Sequence, residues 1–136
     1  MDFAWLSRWQ PQILAILRIV VGLLFLEHGT AKLFAFPIAP PGLPSPLPPL
    51  VLASAIIELV AGLLITIGLF TRPAAFIASG EMAVAYWMAH GSKSPWPIAN
   101  MGELAIVFCF VFLYLAAAGP GAWSVDNARM RREPIR

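Results

Sequence analysis

Four long apolar runs separated by proline- and glycine-rich connectors organise this chain. They cover residues 13–35, 50–70, 73–90 and 101–118. A membrane-crossing helix needs about 20 mostly apolar residues, so the pattern predicts four spanning helices. The last two, about 18 residues each, are expected to stand nearly upright. Between the first and second runs, residues 36–49 contain seven prolines. Such a segment excludes regular helix and predicts a stiff, partly polyproline-like loop. Phe70-Thr-Arg-Pro73 is a short turn with Pro73 at the start of the third helix. Residues 90–100 form a second proline- and glycine-rich loop with Trp96 at interface height, and Gly119-Pro-Gly121 stops the fourth helix. Trp5, Trp9 and their apolar neighbours predict a short interfacial helix over residues 1–12, ending before Pro11. The third run is rich in alanine, glycine and serine, which suits close helix packing.

Composition changes the picture by exclusion. Hydrophobic residues make up 60% of the chain and charged residues 12%, against about 25% charged in a soluble domain. Mean hydropathy is +0.79. These values exclude an ordinary cytosolic enzyme, a disordered segment and a nucleic-acid-binding module. The net charge of +2 and pI of 9.1 have no basic face on which to hold DNA. With Cys109 as the single cysteine, there is no internal disulfide, CxxC pair or cysteine zinc site. Four spans place both termini on one side, with Arg8, Arg72, Arg129, Arg131, Arg132 and Arg136. Lys93 lies on the other side and Lys32 near its membrane edge, so the arginine bias predicts cytoplasmic termini.

Ionisable residues inside the spans are the candidates for chemistry. A charge near mid-membrane costs at least about 2.5–3.5 kcal/mol, so such residues face the interior and pair. Helical rise sorts them by depth. Arg18, Glu58 and Glu81 form a deep group on three helices, expected as a structural ion-pair lock, a proton path or a ligand anchor. His28, Lys32, Tyr86, His90, Asn100 and Glu103 form an outer group. It is either a hydrogen-bonded cap or a site for a quinone head group or small oxyanion. Arg18, Phe25 and Lys32, spaced by seven, share one face of the first helix, with His28 on its flank. Glu27 points the opposite way, toward the bundle mouth or a subunit contact unless it is protonated. His28 and His90 carry no haem-binding motif, so haem is not expected, nor is a bound metal. Cys109 reads as a small buried hydrophobe, and Arg129–Arg132 as a topogenic, headgroup-binding patch.

Several segments, taken in order, resemble the DoxX family over about residues 13–126. They are Gly22-Leu-Leu-Phe-Leu-Glu-His-Gly-Thr-Ala-Lys-Leu-Phe34, then Glu58 through Ala75, then Met82-Ala-Val-Ala-Tyr86 with His90. Asn100-Met-Gly-Glu103 and Gly119-Pro-Gly-Ala-Trp-Ser-Val-Asp126 complete the match. The resemblance implies a small four-helix protein of the bacterial cytoplasmic membrane. The family takes its name from a subunit of a thiosulfate:quinone oxidoreductase, and other members are linked to membrane assemblies that handle thiol and oxidative stress. It fixes the fold better than the reaction. Glu27, Glu81 and the proline-rich loop depart from the family pattern, which is more often apolar at the two glutamates.

The expected protein is an all-α integral membrane four-helix bundle, one domain over residues 1–136, with a basic cytoplasmic tail over 119–136. Its expected function is to bind a quinone-like or small organic ligand near the outer leaflet, as a membrane subunit of a redox system. Lys32 and His28 would donate hydrogen bonds, and His90 and Glu103 would exchange protons. Tyr86, Asn100 and Trp96 would contact the ligand. Electrons would come from a soluble or membrane redox partner or directly from substrate, since the chain carries no flavin, haem or iron–sulfur motif. The competing readings are a non-catalytic scaffold that recruits a soluble oxidoreductase and a small-solute transporter that acts as a homo-oligomer.

Overall fold

The computed structural model describes residues 2–132. Arg136, one of the expected tail cations, lies outside the described residues. A 3₁₀ turn, Ala4–Trp9, runs directly into helix α1, Gln10–Phe34. The break expected at Pro11 does not occur. Pro11 sits in the first turn of α1, where its missing N–H would have had no helical partner. Helix α2 spans Pro49–Ile67 and stops three residues earlier than its apolar run. Gly68, at φ +71°, ends it: its N–H donates to Ile65 O, and the Leu69 N–H donates to Leu64 O at 2.9 Å.

Helix α3, Thr71–Ala85, continues into a π-helical turn over Tyr86–Gly91. Within the loop that follows, Pro97–Asn100 form a single helical turn, α4, which the proline pattern did not predict. Helix α5, Glu103–Ala118, begins two residues later than its apolar run because Met101 adopts φ +59°. It ends at Gly119, as the glycine signal predicts. In the tail, α6 (Val125–Met130) is capped by Ser124, whose Oγ accepts from the Asn127 N–H at 3.1 Å. The described residues contain no strand.

α1, α2, α3 and α5 share one apolar core, made by Phe25, Ile65, Ala75, Ala78, Phe108, Phe112 and Leu115 among others. Phe25 of α1 sets its ring edge-on to Phe112 at 4.7 Å and to Phe108 at 5.7 Å. α1 packs along α2, α3 packs along α5, and α2 joins the two pairs through α3. Glycine sets the α1–α2 distance. A Cβ on Gly22 would lie 2.8 Å from Thr66 N, and one on Gly62 would lie 2.7 Å from Leu26 N. The two backbones therefore touch where a methyl group would not fit. Between α3 and α5, buried Ala74, Ala75 and Ala78 allow close approach, and Ser79 Oγ donates to Cys109 O at 2.7 Å.

The outward faces are as apolar as the core. Leu24, Phe76 and Phe110 are 46%, 65% and 64% exposed, a distribution that suits lipid rather than water. Two helices, Ala4–Phe34 and Pro49–Ile67, are long and apolar enough to cross a membrane.

Candidate functional site

The antiparallel register of α1 and α2 decides which polar groups meet. Gly22 lies against Thr66 and Gly29 against Leu59. Lys32, near the end of α1, is thereby brought to the middle of α2. Its Nζ donates to Glu58 Oε1 at 2.8 Å and to Ser54 Oγ at 3.2 Å. Ser54 Oγ in turn donates to Glu81 Oε1 on α3 at 2.7 Å. Three helices are thus joined by one polar chain, Glu58–Lys32–Ser54–Glu81. Glu58 Oε2 and Glu81 Oε2 are buried without a hydrogen-bond partner, and Lys32 keeps one N–H beyond the two it has placed. Ser54, an uncharged residue, is not among the ionisable candidates that the sequence singles out. The available signal was its spacing: it lies one helical turn before Glu58, on the same face.

Lys32, Ser54 and Glu81 form the polar wall of a groove of about 460 Å³ between α2 and α3. The rest of its lining is almost wholly apolar, with Leu50, Val51, Ile57, Ile77, Val84 and Met88 prominent. Gly80 leaves the floor open, since a Cβ there would meet nothing within 4 Å. The groove therefore offers a long apolar channel with a carboxylate and an ammonium at one wall, the usual make-up of a small-molecule site.

Arg18 corrects the expected deep group. It does not pair with Glu58 or Glu81. It is fully buried at the other end of α1, where Nη2 donates to Trp123 O at 2.9 Å and Nη1 lies over Gly68. The cause is the length of α1, whose N-terminal turns run past the end of α2. Arg18 therefore faces the α2–α3 turn and the tail rather than mid-α2. Lys32–Glu58 is the ion pair found among the described residues.

The expected outer group also divides. Tyr86, His90 and Asn100 form a cap over the loop. Asn100 Nδ2 donates to Tyr86 Oη at 3.1 Å and to Ser94 O at 3.0 Å, and Asn100 Oδ1 accepts from the Gly102 N–H. His90 Nδ1 donates to Asn100 O at 2.9 Å, and its ring stacks on Tyr86. These polar atoms are satisfied by one another, and none of the three residues lines the α2–α3 groove. His28 is exposed and sets its ring edge-on to Phe108. Glu103 is exposed at the start of α5, and Trp96 is 70% exposed. His28, Glu103 and Trp96 thus stand apart from Lys32. Glu103 and Trp96 lie on other elements, and His28, one turn before Lys32 on the same side of α1, turns toward Phe108 of α5 while Lys32 turns toward Glu58 and Ser54 of α2.

A third polar cluster ties down the tail. Asp126 accepts from the backbone N–H groups of Phe70 and Thr71, both at 2.9 Å, and its own N–H donates to Gly68 O. Arg72 donates to Ala116 O and Ala117 O at the end of α5, and the Ala122 N–H donates to Pro11 O. Burial pushes the Asp126 carboxyl up, but the Thr71 and Phe70 hydrogen bonds and the Arg129 charge outweigh it. Asp126 is held below the ordinary carboxylate range.

The family model for DoxX matches residues 13–91. An uncharacterized protein of Haemophilus influenzae is 45% identical over 90% of this chain and 94% of its own length. The inner membrane protein YphA of Escherichia coli is 33% identical over 87% of this chain and 91% of its own. The uncharacterized membrane protein Rv3486 of Mycobacterium tuberculosis is 28% identical, over 90% and 83% respectively. No solved structure matches the chain significantly.

Proposed function

This chain belongs to the DoxX family of membrane proteins, and from that premise we propose that it binds a quinone-like or other small organic ligand in the α2–α3 groove. It does so as a multi-pass subunit of a redox system in the bacterial inner membrane. α1, α2, α3 with its π-helical turn, and α5 are the four spans of a single bundle. The arginine-rich end, where the start of α1 meets the tail, faces the cytoplasm. The groove then opens to lipid in the outer half of the bilayer, where a hydrophobic ligand can enter sideways.

The observation that carries this reading is the pairing of an apolar groove with an unfinished polar wall. Lys32 has an N–H left to give, and Glu81, which lines the groove, keeps its Oε2 unpartnered but shielded behind the wall. These groups fit the carbonyl or hydroxyl oxygens of a quinone-type head group. A bound quinone supplies a two-electron, two-proton couple. Lys32 donates to the head group, Glu81 holds a proton at Oε2, and Glu58 fixes Lys32 in place. His90, Tyr86 and Asn100, first expected at the ligand, serve instead to close the bundle.

The test is calorimetric titration of the nanodisc-embedded protein with a short-tailed quinone. Lys32→Met and Glu81→Gln should each weaken binding at least tenfold, and His90→Ala should leave it unchanged. Binding by both groove variants at wild-type affinity would remove the site. A scaffold role is favoured by one observation, the exposed Arg8, Arg129, Arg131 and Arg132 at the tail end. Deleting residues 127–136 would then abolish recruitment of a soluble partner without altering quinone binding.

A further inference from the structure

Glu27 and His28 are exposed on α1, about 10 Å inside its end at Phe34. Neither side chain has a hydrogen-bond partner among the described residues; the His28 ring stands edge-on to Phe108. On α2, α3 and α5 the exposed acid is Glu103, in the first turn of α5 and five residues before the Phe108 that His28 meets. An acid and an imidazole left in hydrocarbon without partners are expensive, and such groups normally face protein.

The residues around them form a seam. Ile13, Leu17, Val20, Leu24 and Ala31 follow one another at steps of four, three, four and seven, with Glu27 at the edge of the line between Leu24 and Ala31. That is the spacing of a left-handed helix–helix contact. Ile13, Leu17, Val20 and Leu24 are all exposed large hydrophobics. At about 100° per residue, Glu27 and His28 straddle the line through Val20, Leu24 and Ala31. An acid and a base at adjacent positions on either side of such a line are complementary to themselves under two-fold rotation.

We infer that a second copy of this chain packs its α1 parallel to the first along this seam, and that Glu27 of each copy pairs with His28 of the other. The occupant follows from the charges. Another copy, inserted in the same orientation, brings the opposite group to the same depth on both sides at once. The two-fold contact satisfies four polar side chains with two pairs and covers the exposed apolar stripe beneath them. It stands apart from the ligand groove, which lies between α2 and α3.

Two measurements test this, both on full-length protein in lipid vesicles with Cys109→Ser as background. Under mild oxidation Leu24→Cys should cross-link to dimers efficiently, whereas Phe110→Cys on the outward face of α5 should not. Single-molecule photobleaching across a dilution series should show dimers whose dissociation constant rises about tenfold with Glu27→Leu or His28→Leu. It should return toward wild type when Glu27→His is combined with His28→Glu. Because the two side chains are exposed, the single variants keep the monomer fold. Monomers at every protein density, or equal cross-linking at Leu24→Cys and Phe110→Cys, would overturn the proposal. Unchanged dimerisation in Glu27→Leu would also overturn it.

Discussion

Two polar regions of this molecule use the same residue types to different ends. At the tail end, Arg72 and Asp126 spend their polar atoms on backbone groups at helix termini, and Arg18 places Nη2 on Trp123 O. In the groove, Lys32, Glu58 and Glu81 meet side chain to side chain, and two carboxylate oxygens are left over. A helix end presents unpaired N–H and C=O groups, so charges placed there stabilise the fold. A helix middle has no spare backbone groups, so charges placed there must find one another or a ligand. The tail end is accordingly a clamp on backbone groups, with Arg18 Nε and Nη1 and Thr71 Oγ1 left unpartnered inside it, whereas the groove leaves its unpaired groups beside an open apolar cleft.

The largest effect expected from breaking this contrast is at Glu58. Glu58→Ala strands the Lys32 ammonium in a largely buried position and should cost about 3 kcal/mol in stability, read by denaturant unfolding in detergent. Replacing Lys32 by Met in the same molecule should recover much of the loss. Next is the clamp. Asp126→Ala leaves two N–H groups at the start of α3 without acceptors and should cost about 1–2 kcal/mol while sparing ligand binding.

The same clamp gives a pH dependence of definite sign. Because the folded Asp126 holds its proton less tightly than the unfolded chain does, its contribution is complete above the unfolded pKa. It is lost as pH falls through the lower folded value, from about pH 4 downward. Thermal unfolding should therefore drop with acid more steeply in wild type than in Asp126→Ala.

A smaller effect is expected at the cap. His90→Ala removes one donor to Asn100 O and should cost about 1 kcal/mol. The smallest is Glu81→Gln, which keeps an acceptor for Ser54 and should change stability by less than about 0.5 kcal/mol. A large loss of stability in Glu81→Gln would recast the groove as another clamp and erase the difference between the two regions.

Much of this was legible in residue order. The apolar runs marked where helices form, and Gly119 marked the end of α5. The seven-residue spacing of Arg18, Phe25 and Lys32 correctly gave one inward face of α1. Depth from helical rise groups Arg18 with Glu58, but the N-terminal turns of α1 run past the end of α2 and separate them. Depth alone groups Glu103 with Lys32 and carries no information about facing; His28 shares a side of α1 with Lys32 yet meets α5 rather than α2, which only the placement of the neighbouring helices decides.

The sequence by itself determined a hydrophobic, all-helical membrane chain with a handful of ionisable side chains inside it. Periodicity and hydropathy are local properties, and local properties fix helices and their solvent. The tertiary structure alone decided that Lys32 reaches Glu58, that Ser54 relays to Glu81 and that Arg18 serves the tail. Those pairings depend on how far one helix slides along another. Here that is set by Gly22, Gly29 and Gly62 lying against backbone; the glycines are visible along the chain, but the position each one meets is not.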